Sequence, residues 1–252
     1  CVDGPGNRLV LFLQGCNFSC PGCHNPHTMN LCNDCGDCVD ACPLDALSLV
    51  AGKIAFEAAL CDQCDACLEA CPIQANPMVQ PYSVEDVLNL IRKNKLFLNG
   101  ITVSGGEATT QLKFVVALFK AVKQDPGLND LTCFIDSNGH LGEEGWNRLL
   151  PYTDGVMLDI KAFNPGTHLT LTGNTNERSM LSAEIVSGAG KLHELRFLVV
   201  PGFTDSESEL DQLRAFVLSL GKDITVKLNA FQHHGVKGGA LTWPKAGRET
   251  IE

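Results

Sequence analysis

Residues 8–23 read RLVLFLQGCNFSCPGC. The first seven, Arg8 to Gln14, are a short apolar run stopped by Gly15, the pattern of a buried strand that delivers a loop at its C-terminal end. The loop carries Cys16-x3-Cys20-x2-Cys23, three thiols with no evident fourth. A four-iron cluster held by three thiolates keeps one iron open to a substrate or cofactor. A zinc site completed by His24 or His27 is the competing reading.

Immediately downstream, one spacing occurs twice. Cys32-x2-Cys35-x2-Cys38-x3-Cys42 precedes Pro43, and Cys61-x2-Cys64-x2-Cys67-x3-Cys71 precedes Pro72. This is the bacterial ferredoxin run, in which three close thiolates hold one cluster and the fourth serves the other. The expected sets are Cys32, Cys35, Cys38 and Cys71 for one [4Fe-4S] cluster, and Cys61, Cys64, Cys67 and Cys42 for the second. Zinc ribbons use two CxxC pairs instead of a triple with a proline-backed fourth cysteine. The small apolar residues between the runs, Ala46 to Leu60, suit packing between clusters.

Composition bounds the rest. Of 13 cysteines in 252 residues, only Cys133 lies beyond Cys71, so the chain is no disulfide framework but a thiolate–metal segment within an α/β enzyme of a reducing, cytoplasmic compartment. Cys133, in mid-strand, reads as a buried free thiol. Apolar residues at 44% can bury a core, and a net charge of −10 disfavours nucleic acid or an anionic membrane as partner. No run approaches the ~18 to 20 apolar residues of a membrane span. The chain begins at Cys1 and stops at Glu252 in a polar stretch, so both ends read as trimmed.

Strand patterns recur at Ile101–Ser104, Leu131–Ile135, Gly155–Leu158, Leu195–Val200 and Ile224–Leu228. Helical patterns fit Ser83–Lys93 (with Ser83 and Asp86 spaced as a capping box), Leu112–Val122, Glu143–Leu150, Met180–Ala189 and Glu207–Leu220. With Arg8–Gln14, six strands alternate with helices. The fold class expected is α/β, a partial (β/α)6 barrel over residues 1–28 and 80–252, with residues 29–79 as a ferredoxin-like insertion. Gly105-Gly106-Glu107 after the second barrel strand reads as a βα turn whose glycines let backbone approach a ligand.

CNFSCPGC resembles the CxxxCxxC signature of the radical S-adenosylmethionine enzymes. Val2-Asp3-Gly4-Pro5-Gly6-Asn7-Arg8 before it and His24-Asn25-Pro26 after it resemble the activating enzymes of glycyl-radical enzymes, many of which carry such an eight-cysteine insertion, and the resemblance along nearly the whole chain is to the YjjW-type branch. Many members carry an aromatic residue just before the third cysteine, where this chain has Gly22. The resemblance implies that Gly22, Cys23 and His24 contact S-adenosylmethionine and that Gly105, Gly106 and Glu107 hold its amino group. Asp136 of a DTNG-like motif and Asp159-Ile160-Lys161 of a D-[LI]-K motif would line its pocket. Thr167–Asn176 is similar to an H-x-x-LTG-x-x-N stretch, and Arg196 with Val200-Pro201-Gly202 to an R-x-x-V-x-PG stretch. His234, in competition with His233, is similar to a late histidine near the adenine.

The resemblance further implies three [4Fe-4S] clusters and S-adenosyl-L-methionine as cofactors. Reductive cleavage at the Cys16, Cys20 and Cys23 cluster would give a 5′-deoxyadenosyl radical, which abstracts hydrogen from one glycine of a partner glycyl-radical enzyme. Radical abstraction needs no general base, so no acid–base residue is assigned. A flavodoxin or ferredoxin would donate electrons, relayed by the two ferredoxin-type clusters, and the Val2–Gly6 loop would face the partner. A radical S-adenosylmethionine enzyme acting on a small molecule or peptide is the alternative. An iron–sulfur electron carrier without catalysis would leave the three-thiol loop unused.

Overall fold

The computed structural model describes residues 3–221 and 223–251; Cys1 and Val2, the latter part of the loop read as partner-facing, lie outside them. The chain enters β1 (Arg8–Leu13), and the following cysteine-rich segment contains an antiparallel hairpin, β2 (Leu47–Val50) with β3 (Lys53–Phe56), and a short helix α1 (Ala66–Ala70). That segment has its own small core of Cys38, Leu47 and Cys67, against which Ile54, Phe56 and Met78 pack. An isolated parallel bridge between Asn30 and Ala75 joins its two ends.

After it, α2 (Val84–Asn94) opens on the expected capping box. The Ser83 hydroxyl accepts from the Asp86 N–H (3.2 Å) and the Asp86 carboxylate from the Ser83 N–H (2.8 Å). There follow β4 (Gly100–Gly105), α3 (Leu112–Gln124), β5 (Thr132–Ser137), α4 (Glu143–Leu149), β6 (Gly155–Ile160), α5 (Pro165–Thr172), α6 (Glu177–Gly188), β7 (Leu192–Val199), α7 (Glu207–Leu220) and β8 (Val226–Ala230). Six strands form one parallel sheet in the order β1-β4-β5-β6-β7-β8, so the α/β alternation expected from the sequence holds. β7 begins three residues before the apolar run that announced it. The hairpin and α5 were not anticipated, because α5 sits in the polar-rich THLTLTG stretch.

Successive residues of a strand face opposite sides. Ile101, Val103, Cys133, Ile135, Val156, Leu158, Ile160, Leu195, Phe197 and Val199 join the main hydrophobic core with residues of α2, α3, α4 and α6. The alternate positions, Ser104, Asp136, Asp159 and Arg196, therefore share the other face, and strand C-termini carry its polar groups. Among the described residues no helix is long and apolar enough to cross a membrane.

Candidate functional site

The loop leaving β1 is held by backbone and side-chain bonds before any ligand is considered. The N–H of Gly15 donates to Thr28 O and that of Cys16 to Met29 O, both at 2.9 Å, and Ser19 N–H donates to Thr172 O at 2.8 Å. Asn17 is gripped from two sides, its carboxamide oxygen by Asn138 Nδ2 and its carbonyl by Asn174 Nδ2, each at 2.8 Å. Phe18 is buried edge-on between His140 (5.4 Å) and His168 (5.7 Å). With these anchors, Cys16, Cys20 and Cys23 all line a cavity of about 580 Å³ at the C-terminal ends of the strands.

Burial pushes the Cys16 thiol up to about 11 and the Cys20 thiol up to about 12, and raises Cys23 as well. Three such thiols ionise only with a cation to compensate them, which is what an iron cluster supplies. The donor set therefore fits the cluster that the loop's spacing implies. Among the described residues no three His, Cys, Asp or Glu side chains close on one point as around a bare ion.

The cavity wall opposite carries paired charges. Arg196 Nη1 meets Asp136 at 3.2 Å and its Nε meets Glu194 at 2.5 Å, Ser104 donates to Asp136 at 3.1 Å, and Lys161 Nζ meets Asp159 at 2.7 Å. Burial, then the Asp159 charge, raises Asp136 to about 6 against the pull of Arg196 and Lys161. Burial alone would lower Lys161; the Asp159 carboxylate and the Cys20 thiolate outweigh it, and its pKa is raised.

Gly105-Gly106-Glu107 also borders the cavity, and its residues carry packing and bracing tasks besides the ligand contact that the resemblance implies. Gly105 has φ +128°, and a Cβ there would lie 2.1 Å from Leu13 O; a Cβ on Gly106 would lie 2.4 Å from Thr28 O. The glycines admit the backbone of β1 and the cysteine loop. Glu107 is 2% exposed and its carboxylate accepts four hydrogen bonds: Thr109 N–H (2.9 Å), Thr109 Oγ1 (2.6 Å), Ser137 Oγ (2.9 Å) and Asn138 N–H (2.7 Å). Burial raises its pKa against these donors. It braces β4 to β5 and, through Asn138, fixes Asn17.

Of the residues expected around S-adenosylmethionine, Gly22, Cys23, His24, Gly105, Gly106, Glu107, Asp136, Asp159, Lys161 and Arg196 border the cavity. Ile160 does not. It lies between Asp159 and Lys161 and so faces the core, where it is fully buried. His234 is exposed and outside the lining, while His233 hydrogen-bonds the Trp243 carbonyl at 2.8 Å. The neighbour matters more than the histidine: a Cβ on Gly235 would lie 2.0 Å from His24 O, so this glycine lets the C-terminal segment lie on the cysteine loop.

That segment also answers the missing aromatic residue at Gly22. A Cβ there would meet the Phe231 ring at 3.0 Å and the Trp243 ring at 3.1 Å, and Trp243 lines the cavity. Neither ring was singled out from the sequence, nor were Asn17, Phe18 and Asn138. In the sequence, the bare Gly22 was a signal for the two rings alone. The Asp3–Asn7 loop lies at the opposite, N-terminal ends of the strands. There Arg8 donates to Thr102 Oγ1 (2.7 Å), Ile101 O (2.6 Å) and Thr132 O (3.0 Å). Cys133 is buried in the core as a free thiol, pushed up to about 12 by burial.

The eight cysteines of residues 32–71 sit in two copies of one local structure, 29 positions apart. Asp34 N–H points at Cys32 Sγ and Gln63 N–H at Cys61 Sγ (3.4 Å each), and Ala46 N–H at Cys42 Sγ and Ala75 N–H at Cys71 Sγ (3.3 Å each). Positive φ recurs at Asp34 and Gln63, Gly36 and Asp65, and Asp45 and Gln74. Cys42, Cys61, Cys64 and Cys67 together border one small cavity. Burial raises Cys38 to about 11, with Cys32, Cys67 and Cys35 as charged neighbours.

Residues 10–213 match the profile of the Radical SAM superfamily. The pyruvate formate-lyase-activating enzyme of Streptococcus mutans is 33% identical over 223 residues, covering 87% of this chain and 69% of that one. The pyruvate formate-lyase 1-activating enzyme of Escherichia coli is 28% identical, covering 98% and 82% respectively. Streptococcus suis SuiB bound to the precursor peptide SuiA is similar in fold, with a TM-score of 0.59 at 13% identity over 93% of this chain and 42% of that one. A domain of a pyruvate-formate lyase-activating enzyme from Bacteroides vulgatus gives 0.52 at 17% identity over 61% and 88%. The chain belongs to the Radical SAM superfamily, in the family that includes the pyruvate formate-lyase-activating enzymes.

Proposed function

We propose that this chain activates a glycyl-radical enzyme, as a YjjW-type member with a ferredoxin-like insertion. The carrying observation is the cavity itself: three half-buried thiols on one loop face a wall of paired charges at the C-terminal ends of a parallel sheet. In this reading the sheet curves as a partial (β/α)6 barrel over residues 1–28 and 80–252, interrupted by residues 29–79.

Cys16, Cys20 and Cys23 would hold the catalytic [4Fe-4S] cluster. Cys32, Cys35, Cys38 and Cys71 would hold one auxiliary cluster, and Cys61, Cys64, Cys67 and Cys42 the other. The cavity that Cys42 shares with Cys61, Cys64 and Cys67 supports that assignment, and the twin N–H···S bonds of the two halves would help set the clusters' potentials. When bound, the catalytic cluster supplies the electron that cleaves S-adenosylmethionine to methionine and the 5′-deoxyadenosyl radical.

The chain's own residues orient and shield. Asn17, gripped by Asn138 and Asn174, fixes where the cysteine loop presents its thiols. Gly105 and Gly106 offer backbone to the methionyl amino group, with Glu107 bracing them from behind. Lys161, paired with Asp159, and Arg196, paired with Asp136 and Glu194, present polar edges without a net positive charge that would repel the sulfonium. The Phe231 and Trp243 rings exclude water beside Gly22, where the adenine would stack. Hydrogen then leaves a glycine Cα of the partner enzyme, and a cytoplasmic flavodoxin or ferredoxin restores the electron.

The test is anaerobic. Reconstituted chain, reduced with dithionite and given S-adenosylmethionine, should release 5′-deoxyadenosine, and should leave a glycyl radical signal on a partner glycyl-radical enzyme. Cys20→Ala should abolish both. Release without Cys20, or none from the intact chain, would refute the reading.

A further inference from the structure

The two halves of the insertion share their local structure but not their surroundings. In the first half, Ala46 donates its N–H to Cys42 Sγ, and its carbonyl accepts from Glu57 N–H at 2.9 Å, just after β3. That residue is spent inside the insertion. In the second half, the equivalent Ala75 donates to Cys71 Sγ but pairs with Asn30 in a parallel bridge.

Asn30 leaves the catalytic cysteine loop. Its side chain donates to Ile73 O at 2.7 Å, while Gln14, at the end of β1, donates to Asn30 O at 2.7 Å and to His27 O at 2.6 Å. The preceding residue, Met29, accepts from the Cys16 N–H at 2.9 Å. A short path of backbone and hydrogen bonds therefore runs from Cys71 Sγ through Ala75, Asn30 and Met29 to Cys16. Ala75 is buried on its side of the bridge, at 1% exposure, while Asn30 opposite it is exposed.

We propose that the cluster held through Cys71, with Cys32, Cys35 and Cys38, is the immediate electron donor to the site at Cys16, Cys20 and Cys23, and that the Asn30–Ala75 bridge fixes this order. The inference rests on the functional reading above. With the clusters bound, the Cys71 cluster would pass one electron to the catalytic cluster and be oxidised; the Cys42, Cys61, Cys64 and Cys67 cluster would re-reduce it, and would itself be re-reduced by a low-potential flavin or iron–sulfur donor protein.

The deciding measurement is electron paramagnetic resonance on the full reconstituted chain with all clusters reduced. The signal that S-adenosylmethionine perturbs identifies the catalytic cluster, and coupling to its neighbour should broaden it. Combined Cys32→Ala, Cys35→Ala and Cys38→Ala substitution should abolish the broadening. The matching variant at Cys61, Cys64 and Cys67 should retain it. The reverse pattern, or broadening that neither variant changes, would overturn the order. If both variants lose all the insertion's iron, Cys71→Ser and Cys42→Ser, which swap one ligand each, decide in its place: only Cys71→Ser should alter the broadening. A reduced spectrum that S-adenosylmethionine leaves untouched would defeat the functional reading instead.

Discussion

Glu107→Gln tests whether this residue is a brace or a ligand group. The carboxylate accepts from Thr109 N–H and Oγ1 and Ser137 Oγ on one oxygen, and from Asn138 N–H on the other, in a site 2% exposed. A glutamine keeps one acceptor oxygen but turns an NH2 group towards a donor. Losing a charged acceptor costs about 1.5–3 kcal/mol and stranding a buried donor about 1–3 kcal/mol. Together that is about 2.5–6 kcal/mol, a large share of the ~5–15 kcal/mol that holds a protein folded. For a chain of this size the melting temperature should fall by about 2–4 °C per kcal/mol, hence by about 5–24 °C. Matched anaerobic samples in a scanning calorimeter would measure it. A variant that melts within 2 °C of wild type, by that ~2 °C per kcal/mol scale, yet binds S-adenosylmethionine poorly would refute the brace and restore Glu107 as a contact to the cofactor.

Three further outcomes follow from the geometry. Gly105→Ala must fit a Cβ 2.1 Å from Leu13 O at φ +128°, so it should break the β1–β4 pairing and yield little folded protein; Gly188→Ala, with open space around it, should shift stability by less than about 1 kcal/mol. Trp243→Ala should weaken S-adenosylhomocysteine binding about 5- to 150-fold, the worth of one base–aromatic stack at about 1–3 kcal/mol, whereas Trp243→Phe should retain most of it in equilibrium dialysis. The Asp136 carboxyl, raised by burial to about 6, keeps its proton in the folded chain after the unfolded chain has lost it near pH 4. Stability of the metal-free protein should therefore fall as pH rises from about 4 to about 6 and level off above, and Asp136→Asn should flatten that slope in urea titrations.

Much of this was readable along the chain. The cysteine spacings are loop geometry, settled within a dozen residues, and the six strands announced themselves as apolar runs ending in glycine or polar residues. Edges were less legible: β7 starts at Leu192, before its apolar run, because pairing with β6 is set at Val156 opposite Leu192. Ile160 was grouped with Asp159 and Lys161 as one motif, although a strand's two-residue period sends it to the other face.

What the sequence determined by itself is the chemistry available: three thiols on one loop, eight more in a doubled run, and a parallel α/β frame to carry them. The tertiary structure alone decided how neighbours share the work. Glu107 finds its partners 30 residues away at the end of β5. Phe231 and Trp243 fill the space over Gly22 from the far end of the chain. Ala75 and Ala46, alike in sequence context, differ because only one meets Asn30. Local spacing fixes which atoms can bind; which of them face each other depends on contacts between residues far apart in the chain, and those exist only once the sheet has assembled.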